Sequence, residues 1–147
     1  MAVTVFTIGF TKKTAEIFFE LLRKNNVKKL VDIRLNNASQ LAGFAKSDDL
    51  KYFLKAILGI EYFHIADFAP TKDILDDYKK KKITWAEYEK KFNELLASRK
   101  VTDKYNILDF DKACFLCSED SADKCHRRLL VESFKHKYSD LEIIHLK

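Results

Sequence analysis

The segment Cys114–Leu130, CFLCSEDSADKCHRRLL, gathers all three cysteines of the chain, one of its four histidines and two adjacent arginines. Thiolates and imidazole are soft donors, so the pattern C-x2-C-x7-C-H carries the ligand types of a zinc site. A second chemistry is a tuned thiol. If Ser121 or Asp123 caps a helix, Cys125 falls in its first turn, where unpaired N–H groups and the helix dipole favour a thiolate. Arg127 and Arg128 add positive charge there. Cys125 is then the candidate nucleophile, with His126 or Glu119 as its proton-transfer partner. The third reading is structural: Cys117 and Cys125 pack where a strand meets a helix, as cysteines often do.

Spacing discriminates among these. If residues 112–119, KACFLCSE, form a strand, Cys114 and Cys117 are an odd number apart and face opposite sides. That weakens a four-ligand metal site, and no metal and no cofactor are expected. The phosphate loop C-x5-R is absent too, because its arginine position reads Asp123 after Cys117 and Val131 after Cys125. TIGFTKK has one glycine where a dinucleotide fingerprint needs three, and it lacks the G-x-x-x-x-G-K-[ST] cradle.

The elements that must position these residues follow from periodicity. Apolar runs at 3–8 (VTVFTI), 29–34 (KLVDIR), 60–65 (IEYFHI), 112–119 and 141–146 (LEIIHL) read as strands. Between them, Ile17, Phe18, Leu21 and Leu22 share a helical face that Thr11 or Thr14 caps. Leu50, Phe53, Leu54, Ile57 and Leu58 share another, capped by Ser47 and ended by Gly59. The last helix spans about Cys125 to Lys137. Two further helices, near 72–82 and 84–99, interrupt the alternation, and the stripe Trp85, Tyr88, Phe92, Leu95, Leu96 reads as core. The expectation is a single α/β domain over 1–147. It has a mainly parallel sheet of about five strands, helices on both faces, and a helical insertion at about 72–100 placed to act as a lid.

In such sheets ligands bind beyond the carboxyl ends of the strands. Those ends deliver Gly9 and Thr11, Asp32 and Arg34, His64, and Cys117 with Glu119; the next loop adds Cys125, His126 and Arg127. Asp32 and Arg34, two apart on a strand, point to the same face and form a salt bridge or grip one ligand. His64 is read as an ordinary half-buried histidine. The substrate-binding candidates are Gly9, Thr11, Asp32, Arg34, Cys117 and Arg127, with Arg34 and Arg127 holding a small anion.

The net charge of +5 keeps nucleic acid in view as a partner. Its one basic cluster, Lys79–Lys82, lies between two helices, with Arg99 and Lys100 further on, and reads as a solvated helix end. The chain opens without a basic leader and has no apolar run near the roughly 20 residues of a membrane span, so a soluble cytoplasmic protein without membrane contact is expected.

TIGFT (7–11), VDIR (31–34), IEYFHI with FAPTKDILDDYKKKKITWAEYEKKF, and LCSEDSADKCHRRLL together resemble the domain of unknown function 488 family. The resemblance covers nearly the full chain, in order. It implies a compact α/β domain of bacterial or archaeal type. It further implies that Gly9, Asp32, Arg34, Cys117, Glu119, Cys125, His126 and Arg127 belong to recurring motifs. It supplies no reaction. Phe10 stands where relatives often carry His or Tyr, and Cys114 where they carry an apolar or small residue. The function expected is a small enzyme taking an anionic or nucleotide-like substrate at the carboxyl edge. The alternative is a non-catalytic nucleic-acid-binding or regulatory module using the basic surface.

Overall fold

The computed structural model describes residues 2–37, 43–119 and 121–147. They form one α/β domain with a five-stranded, wholly parallel sheet and six helices. In chain order the elements are β1 (Thr4–Gly9), α1 (Ala15–Lys24), β2 (Lys29–Asp32), α2 (Ser47–Phe53), β3 (Glu61–His64), α3 (Lys72–Lys79), α4 (Trp85–Ser98), α5 (Val101–Lys104), β4 (Ala113–Cys117), α6 (His126–Lys137) and β5 (Glu142–His145). The strand order is β3-β2-β4-β1-β5. β4 is therefore central, and all five of its residues are buried. β3 lies at one edge and is largely exposed, which puts His64 at the surface rather than half-buried.

Period-two alternation divides the sheet residues between two cores. Phe6, Ile8, Leu30, Cys114 and Leu116 pack with Phe18, Phe19 and Leu22 of α1 and Leu50 of α2. On the opposite side, Val5, Val31, Ile33, Phe115 and Cys117 pack with Tyr88, Phe92 and Leu96 of α4 and Leu129, Leu130 and Phe134 of α6. The helices at 72–100 are thus no lid. The apolar stripe of α4 needs a sheet face to cover it, and Phe92 is fully buried there.

Local chemistry sets the helix ends. Thr14, not Thr11, caps α1 by accepting from the Ile17 N–H at 3.2 Å. Thr84 and Glu87 close a capping box on α4. α2 continues into a π-helical turn, Leu54–Leu58, which Gly59 ends in the left-handed region at φ 68°. Ser47 proves to be the first helical residue, with Lys46 at the cap position and no side-chain cap bond. The expected cap of the last helix also differs. Cys125 itself occupies the N-cap, extended at φ −140° and ψ 142°, and neither Ser121 nor Asp123 does so.

Candidate functional site

The register aligns the carboxyl ends of the strands in one row: Gly9 beside Cys117, and Asp32 beside Leu116 on one side and His64 on the other. β1 and β2 lead into helices on one face, and β4, between them, leads into α6 on the other. Connections therefore diverge on both sides of the β4 terminus, the place where an open parallel sheet leaves a crevice. Because Asp32 is level with Leu116, it projects from the face opposite to Cys117. The nine singled-out residues therefore divide into two centres rather than one.

The first centre lies on the α1/α2 face. Arg34 donates from Nε to Asp32 Oδ1 at 2.9 Å and from Nη2 to Oδ2 at 2.7 Å, a forked ion pair with both side chains buried. The Arg34 backbone N–H also donates to Asp32, and Nη2 reaches the Ala45 carbonyl at 2.7 Å. The Tyr62 hydroxyl donates to Asp32 Oδ2 at 2.5 Å and accepts from Asn37 Nδ2 at 3.1 Å. Phe10, apolar at a position where a polar residue was of interest, lays its ring 5.3 Å from the guanidinium carbon of Arg34. Burial acts against the charge of Arg34, but the hydrogen bond and charge of Asp32 outweigh it and raise its pKa. Burial, followed by the Asp32 bond, raises Tyr62. Arg34 Nη1 is buried and has no hydrogen-bond partner among the described residues. Periodicity had no means of finding Tyr62 and Asn37, because they act through tertiary contacts across 30 residues and 25 residues respectively.

The second centre lies on the α4/α6 face, where Cys117, Cys125 and His126 bring their sulfur and ring-nitrogen atoms within 4.8 Å of one another. His126 Nδ1 is 3.4 Å from Cys117 Sγ, and Nε2 is 2.7 Å from the Ile33 carbonyl oxygen. A carbonyl only accepts, so Nε2 carries the proton and Nδ1 is the atom turned to sulfur. Phe92 packs edge-on against the imidazole at 5.4 Å. The backbone N–H groups of Ser118 and Glu119 favour a thiolate at Cys117. Against the raising effect of burial, the Cys125 thiol, the charge of Arg127 and those two N–H groups hold Cys117 below its ordinary pKa. Cys125 is pushed well above its own, first by burial and then by sharing a proton with Cys117, against the pull of His126. The N-terminus of α6 therefore does not activate Cys125. The thiol favoured as thiolate is Cys117.

Arg127 is fully buried and commits its donors locally. Nη1 donates to the Glu119 carbonyl and lies 3.8 Å from Cys125 Sγ, while Nε donates to Thr7 Oγ1 at 3.3 Å. Thr7 in turn meets His145 Nδ1 at 2.6 Å, a link on no expected list. Burial and then the charge of Arg127 lower the His145 pKa, which favours a neutral ring in the hydrogen bond with Thr7. Gly9 is demanded by closeness: a Cβ there would sit 1.5 Å from the Glu119 carbonyl oxygen and 2.8 Å from Arg127 Nη1. Thr11 ties the same two loops through its N–H and hydroxyl, both donating to the Ser118 carbonyl at 3.1 Å and 2.6 Å. Glu119 takes part through its backbone, and its residue is exposed.

Cys114 belongs to neither centre. It is enclosed in the α1/α2 core, and burial raises its pKa against the opposing charge of Arg127. In the aromatic stripe Tyr88 and Phe92 are buried in the core, and burial, then the charges of Cys117 and Cys125, raise the Tyr88 pKa. Arg99 of the expected basic surface donates from Nη1 to the Asp67 and Ala69 carbonyls at 2.8 Å and 2.7 Å, whereas Lys79–Lys82 are exposed. Among the described residues, no helix is long and apolar enough to cross a membrane.

A family model described as a domain of unknown function, DUF488, matches residues 14–134. No curated protein matches the chain, and no solved structure matches it.

Proposed function

We propose that this chain, which belongs to the DUF488 family of unknown function, is a small enzyme acting on an anionic, nucleotide-like substrate at the carboxyl edge of its sheet. The reading rests on one observation. Cys117 Sγ and His126 Nδ1 stand 3.4 Å apart while the other ring nitrogen is held by the Ile33 carbonyl. A sulfur and a ring nitrogen within reach, with the ring oriented by a third group, is the arrangement that reactive thiol centres share. Cys125 is the proton-sharing neighbour of Cys117 rather than the nucleophile expected from helix position. Positive charge from Arg127 and the N–H groups of Ser118 and Glu119 favours an anion at this end. At the end of the neighbouring strand, Arg34 Nη1 is a buried donor without a partner among the described residues, which supports an anion at the edge the two strands share.

The test is an NMR titration of the full chain with inorganic phosphate, sulfate and nucleoside monophosphates. Saturable shifts are expected at Gly9, Arg34, Ser118 and Glu119. Arg34→Lys keeps the charge beside Asp32 but loses the fork, and should weaken binding about tenfold or more, the order of one charged hydrogen bond. Cys114→Ser, on the other face, should leave affinity unchanged. Shifts confined to Lys79–Lys82 and Lys100, with affinity falling steeply in salt, would instead make the protein a nucleic-acid-binding module.

A further inference from the structure

The geometry points to a divalent metal site of the zinc class formed, among the described residues, by Cys117, Cys125 and His126. The objection to a four-ligand site stands, because Cys114 is sealed into the opposite core. A three-ligand site does not need it.

Four observations converge on a metal. The first is distance. Zinc bonds of about 2.3 Å to sulfur and about 2.0–2.1 Å to nitrogen place tetrahedral S and N ligands about 3.5 Å apart. Cys117 Sγ and His126 Nδ1 are 3.4 Å apart, and the third ligand atom lies within 4.8 Å of both. The second is the backbone. Adjacent side chains diverge within a helix or a strand, but Cys125 is extended at the N-cap and His126 is the first helical residue. The change of conformation between them turns both toward Cys117. The third is the outer shell. Metal-bound histidines almost always donate their other N–H to a carboxylate, carbonyl or water, and His126 Nε2 does so to Ile33 at 2.7 Å. Arg127 Nη1 at 3.8 Å from Cys125 Sγ is a donor of the kind thiolate ligands accept. The fourth is charge. Two thiolates, a neutral imidazole and a dication sum to zero, so the filled site suits a place where all three residues are buried. Thiolate and imidazole donors in tetrahedral array select zinc over magnesium, calcium or manganese.

Three side chains supply ligands among the described residues, and three protein ligands with a fourth position taken by water or substrate are the pattern of catalytic rather than structural zinc. Only the occupant of that fourth position, a water or an anionic oxygen of the substrate, rests on the function proposed above.

The experiment is a cobalt(II) titration of the full chain, stripped by chelator under reducing conditions, followed by zinc competition. One equivalent should bind, giving a thiolate-to-cobalt charge-transfer band of two sulfurs and the d–d intensity of a tetrahedral site, and zinc should displace it. Cys117→Ser and Cys125→Ser should each weaken binding by more than about a hundredfold, beyond the range for loss of an outer-shell partner. Cys114→Ser should change nothing. Absence of the charge-transfer band in the native chain overturns the metal site whether or not the variants fold. So does stoichiometric cobalt binding that survives both substitutions together. If the phosphate shifts persist without the cobalt spectrum, the enzyme reading survives with a metal-free thiol and imidazole. If the spectrum appears without phosphate shifts, the metal centre stands and the anionic substrate falls.

Discussion

Asp32 with Arg34 and Cys117 with His126 end neighbouring strands yet face opposite sides of the sheet, and they handle burial differently. In the first centre the opposite charges are 2.7 Å apart, and a tyrosine and a carbonyl take up further hydrogen-bonding capacity. A closed ionic lock of this kind is costly to open and has little left with which to react. In the second, the polar atoms are sulfurs and a ring nitrogen aimed at one another, with donors and a fixed charge arranged around them. Such atoms exchange protons or take a metal without dismantling the fold. The centres touch at β2, where the Ile33 carbonyl, next to Arg34, orients His126. The lock thus serves as an anchor for the reactive centre, and among the described residues only Arg34 Nη1 is left over.

Breaking the lock should have the largest effect. Arg34→Met leaves the fully buried Asp32 carboxylate without its counter-charge, at a cost of about 3–5 kcal/mol in denaturant unfolding. Asp32→Leu combined with Arg34→Met should recover most of that loss, since a buried ion pair is often replaced by apolar groups at little cost. Recovery would confirm that this centre is structural in a way the thiol centre is not.

Next comes the seam between β1 and the β4–α6 loop. Gly9→Ala places a methyl group against a backbone carbonyl at 1.5 Å. The loop has to move, with a loss of about 3 kcal/mol, the upper part of the range for overpacking. The same variant should displace Arg127, read as a changed chemical shift of its Nε–H. A smaller effect is expected from Tyr62→Phe, which removes the hydroxyl bonded to Asp32 at 2.5 Å. Its cost is about 1.5–3 kcal/mol, with anion and metal binding at the thiol centre unchanged. Equal damage to both centres by Tyr62→Phe would dissolve the distinction between them.

Much of this architecture was open to local reading. Hydrophobic periodicity placed all five strands and the main helices within a few residues, because it reports which face must be covered. Parity alone separated Cys114 from Cys117. Parity within one strand says nothing of parity between strands, however, and it is the register of β2 against β4 that puts Asp32 and Cys117 on opposite faces of the edge they share. Burial acts to raise both thiols, but the neighbours Cys125 and Arg127 favour the thiolate at Cys117 instead of at Cys125, and α4 is a core layer because its apolar stripe lies against the sheet face.

Alternation and spacing along the chain suffice for the elements, their parallel arrangement and the set of residues at the strand ends. Tertiary structure alone decided that Arg34 is paired, that Arg127 is spent on a carbonyl and a threonine, that Gly9 is required by a neighbouring loop, and that two cysteines and a histidine meet. Those facts depend on which strands are neighbours and in what register, and non-local pairing of that kind leaves no periodic trace in a single chain.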